Sequence, residues 1–109
     1  MESPEGIKNL DGIAAVEGVD VVFAGPMDLS ASLGQIGHPE RPEVQKFLAE
    51  FPRRVASHGK AAGITFSNHD AVKKAYEQGY RFINFGTIMS HGTMGLTADL
   101  KVLRGLEGK

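Results

Sequence analysis

The sequence has no cysteine and no tryptophan. Without thiols there are no disulfides, thiolate nucleophiles or Cys-based zinc sites, and a reducing compartment is expected. Charge of one sign is missing too: twelve Lys and Arg stand against thirteen Asp and Glu. The two signs are interspersed, so no basic stripe points to nucleic acid or to an anionic membrane. No apolar stretch is long enough to cross a bilayer, and Met1-Glu2-Ser3-Pro4 lacks the basic segment and apolar run of a signal peptide. The expectation is a cytoplasmic protein with neither nucleic acid nor membrane as partner. At 109 residues the chain suits one hydrophobic core rather than two.

What is present alternates. Val19 to Ala24 is rich in β-branched and aromatic residues and is closed by Gly25-Pro26, so it reads as a buried strand. Ala61 to Phe66 and Arg81 to Phe85 read the same way. Gly18, Gly59 and Gly79 precede these runs, where a helix should stop before the next strand begins. The longest helix is expected from about Pro42 to His58, because Val44, Phe47, Leu48, Phe51 and Val55 follow three- and four-residue steps along one face. Pro42 suits its first turn, whereas Pro52 removes a backbone donor and predicts a kink or a break. Ala71, Val72, Ala75 and Tyr76 mark a second helix, N-capped by Ser67 or Asn68. A shorter helix is expected over Leu10, Ile13, Ala14 and Val16. Leu96, Leu100, Leu103 and Leu106 suggest one more, which Gly92, Gly95, Gly105 and Gly108 surround or interrupt. Helix, glycine, strand is the recurring unit of a parallel α/β fold, and no linker divides it. Residues 1–109 are therefore expected to form a single domain.

In such folds the working residues sit beyond the C-terminal ends of the strands. The segment Gly25-Pro26-Met27-Asp28-Leu29-Ser30 follows a buried strand and opens a brief helix, whose start offers free backbone donors. Asp28 can serve chemistry there, or simply favour the first turn of that helix. Glu2, beside the first residue, can be a site residue or merely solvated. His38, His58, His69 and His91 show no metal-ligand spacing. Ser30 and Ser32 lack the Gly-x-Ser-x-Gly turn of a nucleophile, and Met27, Met89 and Met94 read as apolar filler. The Gly25 loop has neither Walker nor Gly-x-Gly spacing, so a phosphate-binding domain has little else to rest on.

Two segments carry a resemblance. Glu2-Ser3-x-x-Gly6-x-x-Asn9-Leu10-Asp11-x-Ile13-Ala14-Ala15-Val16-Glu17-Gly18-Val19-Asp20 is followed by Phe23-x-Gly25-Pro26-x-Asp28-Leu29-Ser30-Ala31-Ser32-Leu33-Gly34. Together they resemble the 4-hydroxy-2-oxoheptanedioate and 2-dehydro-3-deoxyglucarate aldolases of the HpcH/HpaI family, class II pyruvate aldolases. The similarity continues through Pro42-Glu43-Val44-Gln45 and Gly59-Lys60-Ala61-Ala62-Gly63-Ile64, then weakens. It covers nearly the whole chain but only about the last two-fifths of an eight-stranded (β/α) barrel of typical size.

The resemblance implies the C-terminal portion of a TIM barrel of the phosphoenolpyruvate/pyruvate superfamily. The implied activity is a lyase that cleaves a carbon–carbon bond of a 4-hydroxy-2-oxo acid and releases pyruvate. It implies a divalent magnesium, manganese or cobalt ion with Glu2 and Asp28 as its protein ligands, and a 2-oxo acid held by Gly25, Pro26, Met27 and Asp28. In that family a histidine acting through water as base, and an arginine that stabilises developing charge, stand on earlier strands. None of the four histidines here matches, so no catalytic residue is assigned within this chain. The last strand also departs from the pattern, ending Gly86-Thr87-Ile88 where the family usually has Gly-Ser-Asp or Gly-Val-Asp. The expectation is an incomplete catalyst, a truncated frame or one part of a split barrel, that self-associates or pairs with an N-terminal half-barrel. The alternative is a half-barrel that serves assembly rather than catalysis.

Overall fold

Three short apolar runs bounded by glycine give three strands. In the computed structural model, which describes residues 1–108, these are β1 (Val21–Ala24), β2 (Ala61–Phe66) and β3 (Phe82–Phe85). They form one parallel sheet in the order β1-β2-β3, with Val22 beside Ala62 and Ile64 beside Ile83. Parallel neighbours need crossovers. The first comprises α3 (Pro26–Ser32) and α4 (Pro42–Ala56), and the second is α5 (His69–Gln78). Two one-turn helices, α1 (Pro4–Lys8) and α2 (Leu10–Ala14), precede β1, and α6 (Ile88–Glu107) follows β3.

Glycine sets the helix-to-strand turns where a left-handed residue is required. Gly59 (φ 72°) closes the turn before β2, and Gly79 (φ 105°) ends α5 while the Tyr80 amide reaches back to the carbonyl of Ala75. Asn68 is the N-cap of α5, its side chain accepting from the Ala71 amide at 2.8 Å.

The core lies on one side of the sheet. Val22 and Ala24 of β1 and Ala62 and Ile64 of β2 are buried beneath α4, which contributes Val44, Phe47, Leu48, Phe51, Pro52 and Val55. Leu10 and Ala14 of α2 and Leu29 of α3 complete it. Tyr80 is wholly buried; its hydroxyl donates to the Leu48 carbonyl at 2.8 Å, its ring stacks on Phe51, and burial pushes its ionisation well above the ordinary phenol range.

Several expectations need correction. Pro52 does not break α4, which runs on as one helix to Ala56. Pro52 is itself among the buried residues of α4, so packing offsets the lost backbone donor. Tyr76 is not on the buried face of α5: it is exposed, with the Arg81 guanidinium 4.8 Å from its ring centre. The last helix is longer than its leucines suggested and passes through Gly92, Gly95 and Gly105. It starts earlier because Thr87 and Ser90 form a capping box, each side chain accepting from the other's amide. From Ile88 to Leu106 no residue of α6 is buried. The helix stands away from the body, and the molecule is 61 Å long against 28 and 21 Å in its other dimensions.

Candidate metal centre

Met1 continues the sheet. Its carbonyl accepts from the Gly25 amide at 3.2 Å and its amino group donates to the Phe23 carbonyl, which is the bonding of one parallel strand residue beside β1. The next residue, Glu2, is therefore held at the same rim of the sheet as the end of β1. There Gly25 is still extended (φ −103°, ψ 94°) and serves as N-cap of α3. Pro26 at N1 has the φ that the helix needs, and Asp28 falls in its first turn. Ser30 is buried, its hydroxyl donating to the Met27 carbonyl at 2.7 Å, which fixes the turn carrying Asp28.

The two carboxylates meet over Gly25. A β-carbon at this position would lie 2.9 Å from Oε1 of Glu2 and 3.2 Å from Oδ2 of Asp28. Both oxygens thus border one small volume and lie no more than about 6 Å apart. Sequence reasoning placed Glu2, Gly25, Pro26, Met27 and Asp28 in one site, and the fold brings all five to one corner. Glycine is needed at position 25 for space, not for dihedral angle, since any side chain would fill the gap into which the carboxylates turn.

Carboxylates this close repel unless a cation stands between them. Two hard oxygen donors with the remaining positions open suit magnesium, manganese or cobalt, which retain water and bind through one or two carboxylates. Among the described residues no group of three or more His, Asp or Glu gathers to make a closed cage. The donor set therefore fits an open divalent-cation site and not a structural one.

Beside this corner lies a cavity of about 620 Å³ along the C-terminal ends of all three strands. Asp28 and Met27 form one end, Thr65 and Phe66 the middle, and Asn84, Thr87 and Ser90 the other end, with Glu40 on the rim. Its size is that of a small-molecule pocket. Glu40 is held below the usual carboxylate range, first by a hydrogen bond from its own backbone amide and then by His38 at 2.8 Å.

No histidine lines the cavity. His38 pairs with Glu40, and His58 lies 3.2 Å from Asp11 near the other end of α4. His69 stacks on Phe85, the His91 ring lies tilted against it at 50°, and the Nε2–H of His91 donates to the Phe85 carbonyl at 3.1 Å. The polar pair Thr65 and Asn84 was missed by sequence reading. The available signal was a polar residue at an alternate position of each of two adjacent strands.

Comparison with known proteins decides the family. A sequence profile of the HpcH/HpaI aldolase/citrate lyase family matches residues 1–92. The chain belongs to that family. It is 46% identical over 86 residues to the hydroxypyruvate/pyruvate aldolase of Pseudomonas aeruginosa, a match covering 79% of this chain and 32% of that protein. It is 40% identical over 87 residues to the 5-keto-4-deoxy-D-glucarate aldolase of Shigella boydii, covering 80% and 34%. An HpcH/HpaI aldolase/citrate lyase family structure from Burkholderia cenocepacia superposes with a TM-score of 0.89 at 34% identity, over 94% of this chain and 40% of that one. The chain thus spans about a third of the length of the curated relatives it matches. Its three parallel strands and their helices are part of an HpcH/HpaI TIM barrel, as expected. Among the described residues no helix is long and apolar enough to cross a membrane.

Proposed function

We propose that residues 1–109 form a partial aldolase barrel domain that carries the metal-binding corner of a pyruvate-releasing 2-oxo acid lyase. The observation that carries this reading is the convergence of Glu2 and Asp28 on the space left by Gly25. Family membership supports it, and two relatives bear aldolase names. Glu2 and Asp28 would hold a magnesium, manganese or cobalt ion. When bound, such an ion supplies Lewis-acid stabilisation of the negative charge that carbon–carbon cleavage leaves on a 2-oxo acid.

The chain's own residues have three tasks in this reading. Glu2 and Asp28 bring the negative charge that fixes the cation. Gly25, Pro26, Met27 and Asp28 hold the 2-oxo acid end, with backbone donors at the start of α3 facing its carboxylate. Phe66 and Leu48 line the cavity with apolar surface and exclude water from part of the site. Among the described residues no histidine, lysine or arginine lines the cavity to move a proton or to stabilise a leaving oxygen. Binding without rapid turnover is the expected behaviour of this chain alone.

The test is a pyruvate-release assay with a 4-hydroxy-2-oxo acid and added Mg²⁺ or Mn²⁺, paired with thermal unfolding with and without the metal. Metal-dependent stabilisation that Asp28→Ala abolishes, with little or no turnover, is the expected result. Robust turnover by the purified chain would contradict the incompleteness.

A second reading, a half-barrel that serves assembly, is favoured by one specific observation. The sheet face opposite α4 leaves Phe82 and Asn84 exposed, and α6 exposes Leu96, Leu100, Leu103 and Leu106. Sedimentation distinguishes it: a discrete oligomer, equally stable with and without metal, supports assembly over a live site.

A further inference from the structure

The inner face of α5 is built from small residues and does not fill the space beside α4. Ala71, Val72 and Ala75 are the apolar residues turned inwards, and of these only Ala75 is fully buried. At one end the two helices touch: a β-carbon on Gly79 would lie 3.4 Å from Cβ of Pro52. Towards the C-terminal rim of the sheet a groove of about 190 Å³ is left between them. Leu48 of α4 and Ala71 of α5 line its sides, with Ile64 and Phe66 of β2 beneath. Ile64 is otherwise sealed in the core, so the groove reaches the core itself. All its walls come from the single unit α4-β2-α5, and its shape is set within that continuous stretch of chain.

The mouth of the groove carries one charge. Ala71, Lys74 and Gln78 line it at three- and four-residue steps of α5, so the ammonium and the amide stand one turn apart on one face. Both residues are exposed, and Lys74 makes no ion pair among the described residues, although Asp70 and Glu77 are its neighbours along α5. Gln45, on α4, is already committed to the Pro39 carbonyl at 2.9 Å. Among the described residues no carboxylate lines the groove. An apolar space that ends in an uncommitted cation complements an anion with an apolar tail.

We infer that the groove between α4 and α5 is a binding site for a free short-chain monocarboxylate, its tail against Leu48, Ile64, Phe66 and Ala71 and its carboxylate on Lys74 and Gln78. Size sets the tail: an apolar cavity of about 150 Å³ takes up benzene, so this groove suits about four to six carbons. Charge sets the head: a carboxylate pairs with the ammonium and accepts from the Gln78 amide, whereas a cationic head is repelled. The groove adjoins the larger cavity through Gln45, Leu48 and Phe66, but none of Glu2, Gly25 and Asp28 lines it. It therefore stands or falls separately from the 2-oxo acid site.

A ¹H–¹⁵N NMR titration of the full chain without added metal, using pentanoate, acetate, pentanamide and pentylamine, tests this. Pentanoate should give saturable shifts centred on the amides of Ala71, Lys74 and Gln78. Acetate lacks the tail and pentanamide the charge, so each should bind at least about tenfold more weakly, and pentylamine more weakly still. Lys74→Gln should weaken pentanoate about tenfold while Lys74→Arg retains it. Ala71→Leu should block the groove, and Asp28→Ala should change nothing. Lys74 is exposed, so Lys74→Gln reads the head contact whether or not Ala71→Leu disturbs the packing of α5. Absence of saturable shifts at the groove, pentylamine binding as tight as pentanoate, or a pentanoate affinity that Lys74→Gln leaves intact would overturn the inference. Binding lost in Asp28→Ala would assign pentanoate to the carboxylate corner and overturn it as well, with the 2-oxo acid site still standing.

Discussion

Alternate residues of the same strands lead to two different surfaces. On one side of the sheet Val22, Ala24, Ala62 and Ile64 are sealed beneath α4; on the other, Thr65, Phe82 and Asn84 stand open, with Phe23 half covered. The sealed side is where stability resides, because every large side chain there removes apolar surface from water. The open side carries the carboxylate corner and the cavity. A strand period of two allows one short sequence to serve both purposes, since neighbouring residues never share a face.

Mutation should therefore separate the two sides. The largest loss is expected for Phe51→Ala, which empties a fully buried site between Phe47 and Tyr80. Chemical denaturation should show a cost of about 3–5 kcal/mol. Gly63→Ala should follow at about 1–3 kcal/mol, because the new methyl meets the Phe23 ring and lies 3.2 Å from the Phe82 carbonyl. Tyr80→Phe removes the bond to Leu48 and leaves that carbonyl unpaired, for about 1–2 kcal/mol. On the open side, Leu100→Ala in α6 should change monomer stability by less than about 0.5 kcal/mol. A large loss there would mean that α6 packs against something in solution, and the contrast would fail.

The smallest effect concerns pH. Asp11 is held below the usual carboxylate range, first by Arg54 at 2.8 Å and then by His58. A depressed folded-state value gives stability that is present above the unfolded pKa of about 3.8 and is lost as pH falls through the folded one. Asp11→Asn should flatten the acid limb of a stability profile below about pH 4 and leave neutral pH nearly unchanged.

The legibility of the sequence follows the same division. Phe47, Leu48, Phe51 and Val55 announced α4 because a sealed face leaves a regular apolar stripe. Leu96, Leu100, Leu103 and Leu106 form a similar stripe, yet they remain exposed: periodicity reports a helix, not the presence of a partner. Pro52 left a kink and a break both open, and the helix runs on without a break because local propensity cannot see the packing around the ring. At the site, Gly25-Pro26-x-Asp28 was legible through resemblance, whereas spacing alone left Asp28 between capping and chemistry. The convergence of Glu2 depended on Met1 pairing beside β1, a contact between residues far apart in the chain that no local pattern encodes. Thr65 and Asn84 were hidden for the same reason, since only strand register sets them side by side.

Titration of Mn²⁺ followed by electron paramagnetic resonance, on the chain and on Glu2→Gln, Asp28→Ala and Gly25→Ala, tests the shared corner most directly. One bound ion per chain is predicted, with affinity at least about tenfold weaker in each variant and circular dichroism unchanged; for Gly25→Ala the loss comes from a methyl group in the space both carboxylates use. Mn²⁺ binding that is indifferent to all three substitutions would contradict it.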